Sequence, residues 1–262
     1  MTHDSNDCAS TDITEKHHTD YSRYFDLITS RKVETLIWQV RSNLPLLADH
    51  LLFTDALRGA CISTIRDNVP PQVTGHDSFG NHLLGHRHGH YFALPSLDNM
   101  HIEWFVAWFP GGLSIYHVAV LSNVKKLYVR QKGSGPGETL ISLDRTGEFR
   151  LLLPHMTGPS TEWYSIVPFV PSRHIHKKER LHSFIESDLS NELRVRGFQA
   201  DISDVSWRPA WSVPALRSES SNHWFRAYHI RLILTSAVKG PLLLGRHAHF
   251  GCGLFQVGTL QQ

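Results

Sequence analysis

The sequence has few cysteines and no long apolar run, and each shortage excludes a class of protein. Its 262 residues include three cysteines, which are far apart and form no Cys-x-x-Cys pair. This pattern argues against a disulfide scaffold or a zinc ribbon and fits a reducing cytosol. No run of about 18 apolar residues occurs, so we expect no membrane span. Residues 1–20 lack the apolar core of a secretory signal, so we expect a cytoplasmic protein.

Charge of one sign is not in excess either. The 26 basic residues are nearly balanced by 24 acidic ones, and the formal net charge is +2, which does not by itself indicate a nucleic-acid partner. Histidine is frequent instead, with 19 residues, and its partial protonation beside a polyanion would add positive charge. The hydrophobic fraction of 41% is enough for a real core, so the length predicts one large domain or two modest ones.

The most distinctive stretch carries histidine at alternate positions. Gly85–Leu94 contains His86, His88 and His90, and a strand sends alternate side chains to one face. If this stretch is a strand, the three imidazoles form one row with Arg87 behind it. Imidazole takes and gives protons near neutrality, so the row suits acid–base chemistry or metal binding. A shorter version of the pattern lies at residues 245–253.

The order of the predicted elements indicates an α+β fold. In the first half, the periodicities predict β-α-β-β-α-β: Val33–Arg41, Asp55–Ile65 after an N-cap at Thr54, Gly85–Leu94, Met100–Phe109, Ser114–Arg130, and a last strand or hairpin from Thr139–Leu143 and Phe149–Leu153. The second half gives strand Trp163–Val170, helix Leu181–Arg196, and strands Ile202–Val205 and Trp224–Ala237. We predict tandem ferredoxin-like folds, the second degenerate and ending in a glycine-rich loop.

This pattern also predicts how the chain is divided. We expect a loosely ordered lead-in at residues 1–30, a first ferredoxin-like domain at 31–158, and a second one with the glycine-rich loop at 159–262.

Several segments, taken together and in order, resemble a known family. They are Thr54–Arg58, Gly85–Pro95, Trp163–His174 and Gly240–Phe255. The set is similar to the repeat-processing half of the CRISPR-associated fusion subunit of subtype I-G (formerly I-U), a member of the RAMP superfamily of RNA-binding proteins built from ferredoxin-like folds. The resemblance covers roughly residues 33–257. One departure is that the family's half follows a second RAMP module, whereas here residues 1–30 precede the first strand.

The resemblance implies an endoribonuclease that matures CRISPR RNA in the prokaryotic cytoplasm. It implies cleavage of repeat transcripts without a metal or other cofactor, leaving a 2′,3′-cyclic phosphate and a 5′-OH. It also implies retention on the CRISPR RNA hairpin with other subunits of a type I effector complex. Such cleavage needs a base for the 2′-OH, a cation for the phosphorane and an acid for the departing oxygen.

The catalytic candidates are histidines near the end of the first helix and the following strand. The favoured pair is His86 and His88, with His76 in reserve and His90 in the same row. Two other interpretations of the row stay open. Strand histidines often only bond their neighbours, and alternating histidines also bind zinc, although no nearby cysteine or carboxylate completes a ligand set.

The candidate RNA-binding residues lie in three segments. Arg87 lies in the histidine row. The basic stretch before the predicted helix Leu181–Arg196 contributes Arg173, His174, His176, Lys177, Lys178 and Arg180. The glycine-rich loop contributes Arg246, His247, His249, Gly251 and Gly253. Lysine and arginine at this density fit hairpin phosphates, and glycines let backbone amides approach phosphate. The alternatives are a solvated charged turn and a tight backbone crossing.

Two other functions remain open at this stage. A non-catalytic guide-RNA-binding subunit of a CRISPR surveillance complex would use the same basic stretch and loop. A two-histidine phosphoesterase would need Ser or Thr two residues after each histidine, which is absent at both sites. The tryptophans of residues 207–224 either stack on unpaired bases or pack in the core.

Overall fold

The computed structural model describes residues 32–83, 88–130, 136–175, 180–214 and 224–258. Along the chain these residues form β1 (Lys32–Val40), α1 (His50–Ile65), α2 (Pro71–Thr74), β2 (His90–Pro95), β3 (Ile102–Ser114), α3 (Ile115–Leu121), β4 (Lys126–Arg130), β5 (Pro136–Gly147), α4 (Phe149–Leu152), β6 (Ser160–Ser165), α5 (Leu181–Val195), β7 (Ile202–Pro209), β8 (Val213–Pro214), β9 (Trp224–Phe225), β10 (Tyr228–Val238) and β11 (Phe255–Val257). Short 3₁₀ turns lie at Leu47–Asp49, Pro154–Met156 and Ala248–Phe250.

The strands form two main antiparallel sheets. The first has five strands in the order β2-β3-β1-β5-β4, and the second has four in the order β11-β6-β10-β7. Strands β8 and β9 form a small separate ribbon. The predicted α+β class with two successive sheet-and-helix units is therefore confirmed.

Strand β1 is the centre of the first sheet, between β3 and β5. Its consecutive residues Leu36, Ile37 and Trp38 are all fully buried. Because alternate residues face opposite sides of a sheet, both faces of β1 are covered. The predicted strand Val33–Arg41 is confirmed within one residue at each end.

Helix α1 begins at His50, about one turn before the predicted start. The predicted N-cap, Thr54, is instead a buried residue inside the helix, where its Oγ1 donates to the carbonyl oxygens of Leu51 and Phe250. The helix starts earlier because Leu51, which precedes the predicted start, is fully buried like Leu57 within the predicted helix.

The predicted long helix Ser114–Arg130 is wrong beyond its first two turns. Helix α3 ends at Leu121, and β4 follows. In β4, Leu127 and Val129 are buried while Lys126 and Tyr128 are exposed, which is the two-residue period of a strand. Val118, Leu121 and Leu127 fit a helical stripe equally well, so the spacing alone did not separate the two.

Other boundaries also move. Strand β3 continues through the predicted stop at Pro110-Gly111-Gly112, because Leu113 pairs with Val33 across a bulge. Residues 149–152 form a helical turn rather than a strand, and β6 ends at Ser165. The predicted strand Trp224–Ala237 divides into β9 and β10, whereas α5 matches its prediction closely.

The two halves share a core. The main cluster under the five-stranded sheet also contains Val167, Leu243, Ala248 and Leu254 from the second half of the sequence. The glycine-rich loop is thereby packed against the first sheet. The predicted boundary at residues 158 and 159 stays a prediction. Within the described residues, no helix is long and apolar enough to cross a membrane.

Candidate active site

Helix α1, the segment after α2 and the glycine-rich loop together enclose a cavity of about 450 Å³. We call it the histidine cavity. Its walls are rich in groups that carry or accept protons and charge: Asp55, Arg58, His76, His82, His88 and His249. The fold thus brings together histidines that are far apart in the sequence.

His88 and His249 face each other in this cavity. Their ring centroids are 5.4 Å apart, and the rings meet edge to face. The Nδ1 atom of His88 lies 3.2 Å from the Gly89 carbonyl oxygen. Since a carbonyl oxygen only accepts, this contact requires a proton on Nδ1 of His88, and Nε2 is the nitrogen that can take up or give a second proton.

His249 is held neutral by its surroundings. Burial lowers the pKa of its imidazole to about 3, and the positive charges of His88, His247 and Arg58 act in the same direction. At neutral pH the ring therefore has a lone pair available for a proton. A phosphate bound among these groups would oppose their positive charge and raise the pKa of His249.

Arg58 and His76 converge on a single backbone oxygen. The guanidinium of Arg58 donates through Nη2 to the Thr74 carbonyl, and His76 Nδ1 lies 3.1 Å from the same oxygen. The His76 ring packs 4.4 Å from His82, measured between centroids, and the two residues form an isolated backbone bridge. Thr74 thus fixes one cation and one imidazole at the rim of the cavity.

His90 does not belong to the cavity lining. It is the first residue of β2, its side chain is almost fully buried, and its ring stacks on Trp108 at 5.0 Å. The predicted strand Gly85–Leu94 therefore starts at His90 within the described residues, because His88 and Gly89 precede the pairing with β3. Of the two described members of the predicted row, only His90 lies on the strand, but the His88 and His90 rings are still neighbours, 5.2 Å apart between centroids. His86 and Arg87 lie outside the described residues.

Buried contacts fix the glycine-rich loop against α1. Thr54 Oγ1 donates to the Phe250 carbonyl at 2.9 Å, next to His249. His50 Nδ1 donates to the Leu47 carbonyl at 3.0 Å, which leaves Nε2 to accept from the Cys252 thiol at 3.4 Å. Burial raises the pKa of this thiol and lowers the pKa of His50 to about 4, so both groups are neutral at pH 7.

This buried histidine predicts loss of stability in mild acid. The pKa of His50 falls from its ordinary 6.5 to about 4 on folding, so between these values the unfolded chain binds a proton that the folded chain does not. We expect the free energy of unfolding to fall by about 3 kcal/mol from this group as the pH drops through that window. Urea unfolding at a series of pH values measures it.

The matched variant for this prediction is His50→Leu. It removes the titrating group, so the difference in unfolding free energy between the natural protein and the variant should shrink from pH 7 to pH 4. A constant difference across that range would contradict the assignment to His50.

The glycines predicted to contact RNA have internal contacts. Gly251 is buried, and a Cβ there would lie 2.6 Å from the Phe92 Cβ atom. A Cβ on Gly253 would lie 2.0 Å from the Leu244 oxygen. Their amides donate within the protein, to the carbonyls of Ala248 and Pro168. RNA contact through these two glycines stays a prediction, and their contacts favour the alternative of a tight backbone crossing.

The basic stretch is anchored at its start. Arg173 Nε lies 3.7 Å from the buried carboxylate of Asp188, and its guanidinium lies over Phe184 at 4.4 Å. Asp188 also accepts from the backbone amide and the hydroxyl of Ser172. His174 and Arg180 are exposed. His176, Lys177 and Lys178 lie outside the described residues.

The other predicted cations lie beside the loop but outside the histidine cavity. Arg246 donates to the Ser172 carbonyl at 3.0 Å and lies 4.6 Å over Phe225. The ring of His247, a residue of left-handed backbone conformation, lies 5.7 Å from that of Phe225. Of the predicted RNA-binding residues that the structure describes, only His249 lines the cavity.

Sequence reasoning missed two cavity residues, Asp55 and Arg58, as functional side chains. They lie three residues apart on α1 and so share one face of the helix. Both lie in the Thr54–Arg58 segment that carries the family resemblance, but nothing in that resemblance assigned a role to either side chain. Among the described residues, no group of three or more His, Cys, Asp or Glu is arranged to hold a metal ion.

No protein-family model and no curated protein matches the sequence. Solved structures do. The crystal structure of Cas6b is similar with a TM-score of 0.50 and 10% identity, over 87% of this chain and 100% of that one. A Cas6 product complex has a TM-score of 0.46 and 10% identity, over 87% of this chain and 99% of that one. The CRISPR endoribonuclease Cse3 bound to a 19-nucleotide RNA has a TM-score of 0.42 and 10% identity, over 87% of this chain and 100% of that one.

At this level of identity the likeness concerns the fold. The likeness to the Cas6b structure extends over 87% of the present chain. The tandem ferredoxin-like architecture expected from the RAMP resemblance is thus confirmed. The subtype I-G assignment stays a prediction. The chain has the fold of the CRISPR-associated protein Cas6b.

Proposed function

We propose that this protein is an endoribonuclease that cuts CRISPR repeat transcripts. The observation that carries the proposal is the histidine cavity, where His76, His82, His88 and His249 line one space together with Arg58. Imidazoles that share a concave site with a cation are the groups that acid–base cleavage of RNA requires. The fold, which is that of Cas6b, supports the choice of a CRISPR transcript as the substrate.

The reaction is attack of a ribose 2′-OH on the adjacent phosphorus. A base takes the 2′ proton, the P–O5′ bond breaks, and an acid returns a proton to the departing 5′ oxygen. The products are a 2′,3′-cyclic phosphate and a 5′-OH. In this scheme the protein's own side chains supply both proton transfers and no metal is needed.

We assign the base to His249 and the acid to His88. Burial and neighbouring positive charge keep His249 neutral, as a base must be before the reaction. His88 packs edge to face against His249 with ring centroids 5.4 Å apart, and both rings line the cavity, so a phosphodiester bound in the cavity could contact both. To act as the acid, His88 must carry a second proton when the RNA binds. His86 keeps its predicted catalytic role as a proposal, and His76 remains the reserve on the rim.

Arg58 is the cation that meets the phosphate in this scheme. Its side chain is half-buried and is oriented by the Thr74 carbonyl, so its remaining N–H groups point from a fixed position. A guanidinium held in this way stabilises the charge that develops on the phosphorane without reorganising.

Incubation with labelled repeat RNA in excess EDTA tests the proposal. We expect one discrete cut, and the upstream product should carry a 2′,3′-cyclic phosphate, which acid treatment opens and phosphatase then removes. Tight binding without a cut would contradict the proposal and support the non-catalytic guide-RNA-binding subunit. A cut that appears only with added divalent metal would contradict the metal-independent route.

Retention on the product is a second part of the proposal. His174 and Arg180 are exposed, and their positive charge could hold the phosphates of a hairpin. The protein would then stay on the CRISPR RNA within a type I effector complex. Gel filtration of the cleavage reaction, with labelled hairpin product eluting with the protein, tests this part.

A further inference from the structure

A second concave surface runs along the outer face of α1, beside the histidine cavity. We call it the lysine groove. It has a volume of about 630 Å³, its floor is formed by residues 55–64 of α1, and its wall is formed by Lys125, Lys126 and Tyr128. Asp55 lines both this groove and the histidine cavity, so the two spaces adjoin on one helix.

The wall combines positive charge with an aromatic ring. Lys125 and Lys126 are exposed, and Tyr128 is 62% exposed. Lys126 and Tyr128 point to the same side because they alternate along β4, and Leu127 is buried beneath them. Lys126 pairs with Glu138 of the neighbouring strand at 3.0 Å, which orients its ammonium group. Lysines with an exposed ring are the groups that hold single-stranded nucleic acid.

The floor contains a glycine that the protein itself does not require. A Cβ built on Gly59 would meet no atom within 4 Å. Glycine in a helix interior weakens the helix relative to alanine, so packing gives no reason for it here. A missing side chain at an open floor lets the backbone of a ligand approach the helix closely.

We propose that the lysine groove binds unpaired nucleotides that adjoin the cleaved phosphodiester. The proposal rests on the function proposed for the histidine cavity, because the groove continues that cavity. Residues 55–64 span about 14 Å of helix, which is room for a short stretch of strand rather than a duplex. Lys125 contacts phosphate, Tyr128 stacks on a base, and Asp55, the carboxylate in the floor, lies at the junction.

The experiment compares three labelled RNA hairpins: one with an unpaired 5′ tail, one with an unpaired 3′ tail and one with neither. Affinities are measured for the natural protein, for Lys125→Glu combined with Tyr128→Ala, and for Lys239→Glu as an exposed control outside both cavities. We expect the double variant to lose about tenfold in affinity for one tailed hairpin only. For the double variant, the slope of log Kd against the logarithm of the salt concentration should fall by about 0.7, because one phosphate contact is lost.

A second variant separates binding from folding. Gly59→Ala should raise the melting temperature, because alanine favours the helix, and should weaken binding of the same tailed hairpin. The groove proposal would be contradicted if the variants bound both tailed hairpins as tightly as the natural protein does, or if they lost as much affinity for the hairpin without a tail. If the variants lost affinity only for a tailed hairpin, but the natural protein cut none of the hairpins, only the nuclease proposal would be contradicted.

Discussion

Replacing His249 by alanine should lower the single-turnover rate of repeat cleavage about 10²–10⁴-fold, because one proton transfer would lose its catalyst. The same range is expected for His88→Ala. Affinity for the repeat should change much less than the rate, because each variant removes one ring and leaves Arg58 in place. Quenched-flow or manual single-turnover assays with protein in excess, together with binding measured on a 2′-deoxy substrate, give the two quantities separately.

The control for these variants is His182→Ala, which removes an exposed histidine of α5 away from the cavity. It should cut at the natural rate. Non-additivity is also expected: the double variant His88→Ala with His249→Ala should be hardly slower than the worse single one, because the two rings serve one reaction. Full activity of that double variant would remove the proposed acid–base pair.

The pH dependence of cleavage gives an independent check on His249. Burial and neighbouring positive charge depress the pKa of its imidazole to about 3 in the RNA-free protein. The pH profile of kcat/KM reports the pKa values of the free enzyme, so its rising limb should have a midpoint well below the ordinary 6.5. A midpoint at or above 6.5 would place the base on another residue.

The sequence carried enough information to predict the elements whose periodicity was unambiguous. Strand β1 is a short apolar segment that Leu44-Pro45 ends, and α5 repeats apolar residues such as Ile185 and Leu189 at four-residue steps, so both were found nearly residue for residue. The segment at Leu121–Val129 failed because three-residue spacings fit a helix until the buried pair Leu127 and Val129 is seen on one face of β4.

The sequence identified most of the histidines of the site as candidates, but it did not predict which of them lie together. His76 and His88 were catalytic candidates and His249 was an RNA-binding candidate, yet only the packing of the glycine-rich loop on α1, through Thr54 and Phe250, places His249 against His88. Contacts between such distant parts of the chain leave no local pattern. His90 is the opposite case: the motif made it a catalytic candidate, but its ring is buried and stacks on Trp108.

Arg58 is the residue that sequence patterns could not find, and its replacement gives the second large expected effect. Arg58→Ala should lower the cleavage rate about 10²–10³-fold, the loss typical of removing one preorganised donor to a developing oxyanion. Arg58→Lys should recover part of the rate, since it restores the charge but not the fixed fork of donors. Single-turnover rates of the three proteins give the comparison.

The structural part of this effect must be measured beside it, because Arg58 also donates to the Thr74 carbonyl and so holds the segment that carries His76. His76→Ala serves as the reference: if Arg58 acted only by positioning that segment, the two variants would lose activity equally. We expect Arg58→Ala to be the slower one and to show a weaker salt dependence of binding, because a phosphate contact has been lost. Equal rates with equal salt slopes would reduce Arg58 to a positioning residue.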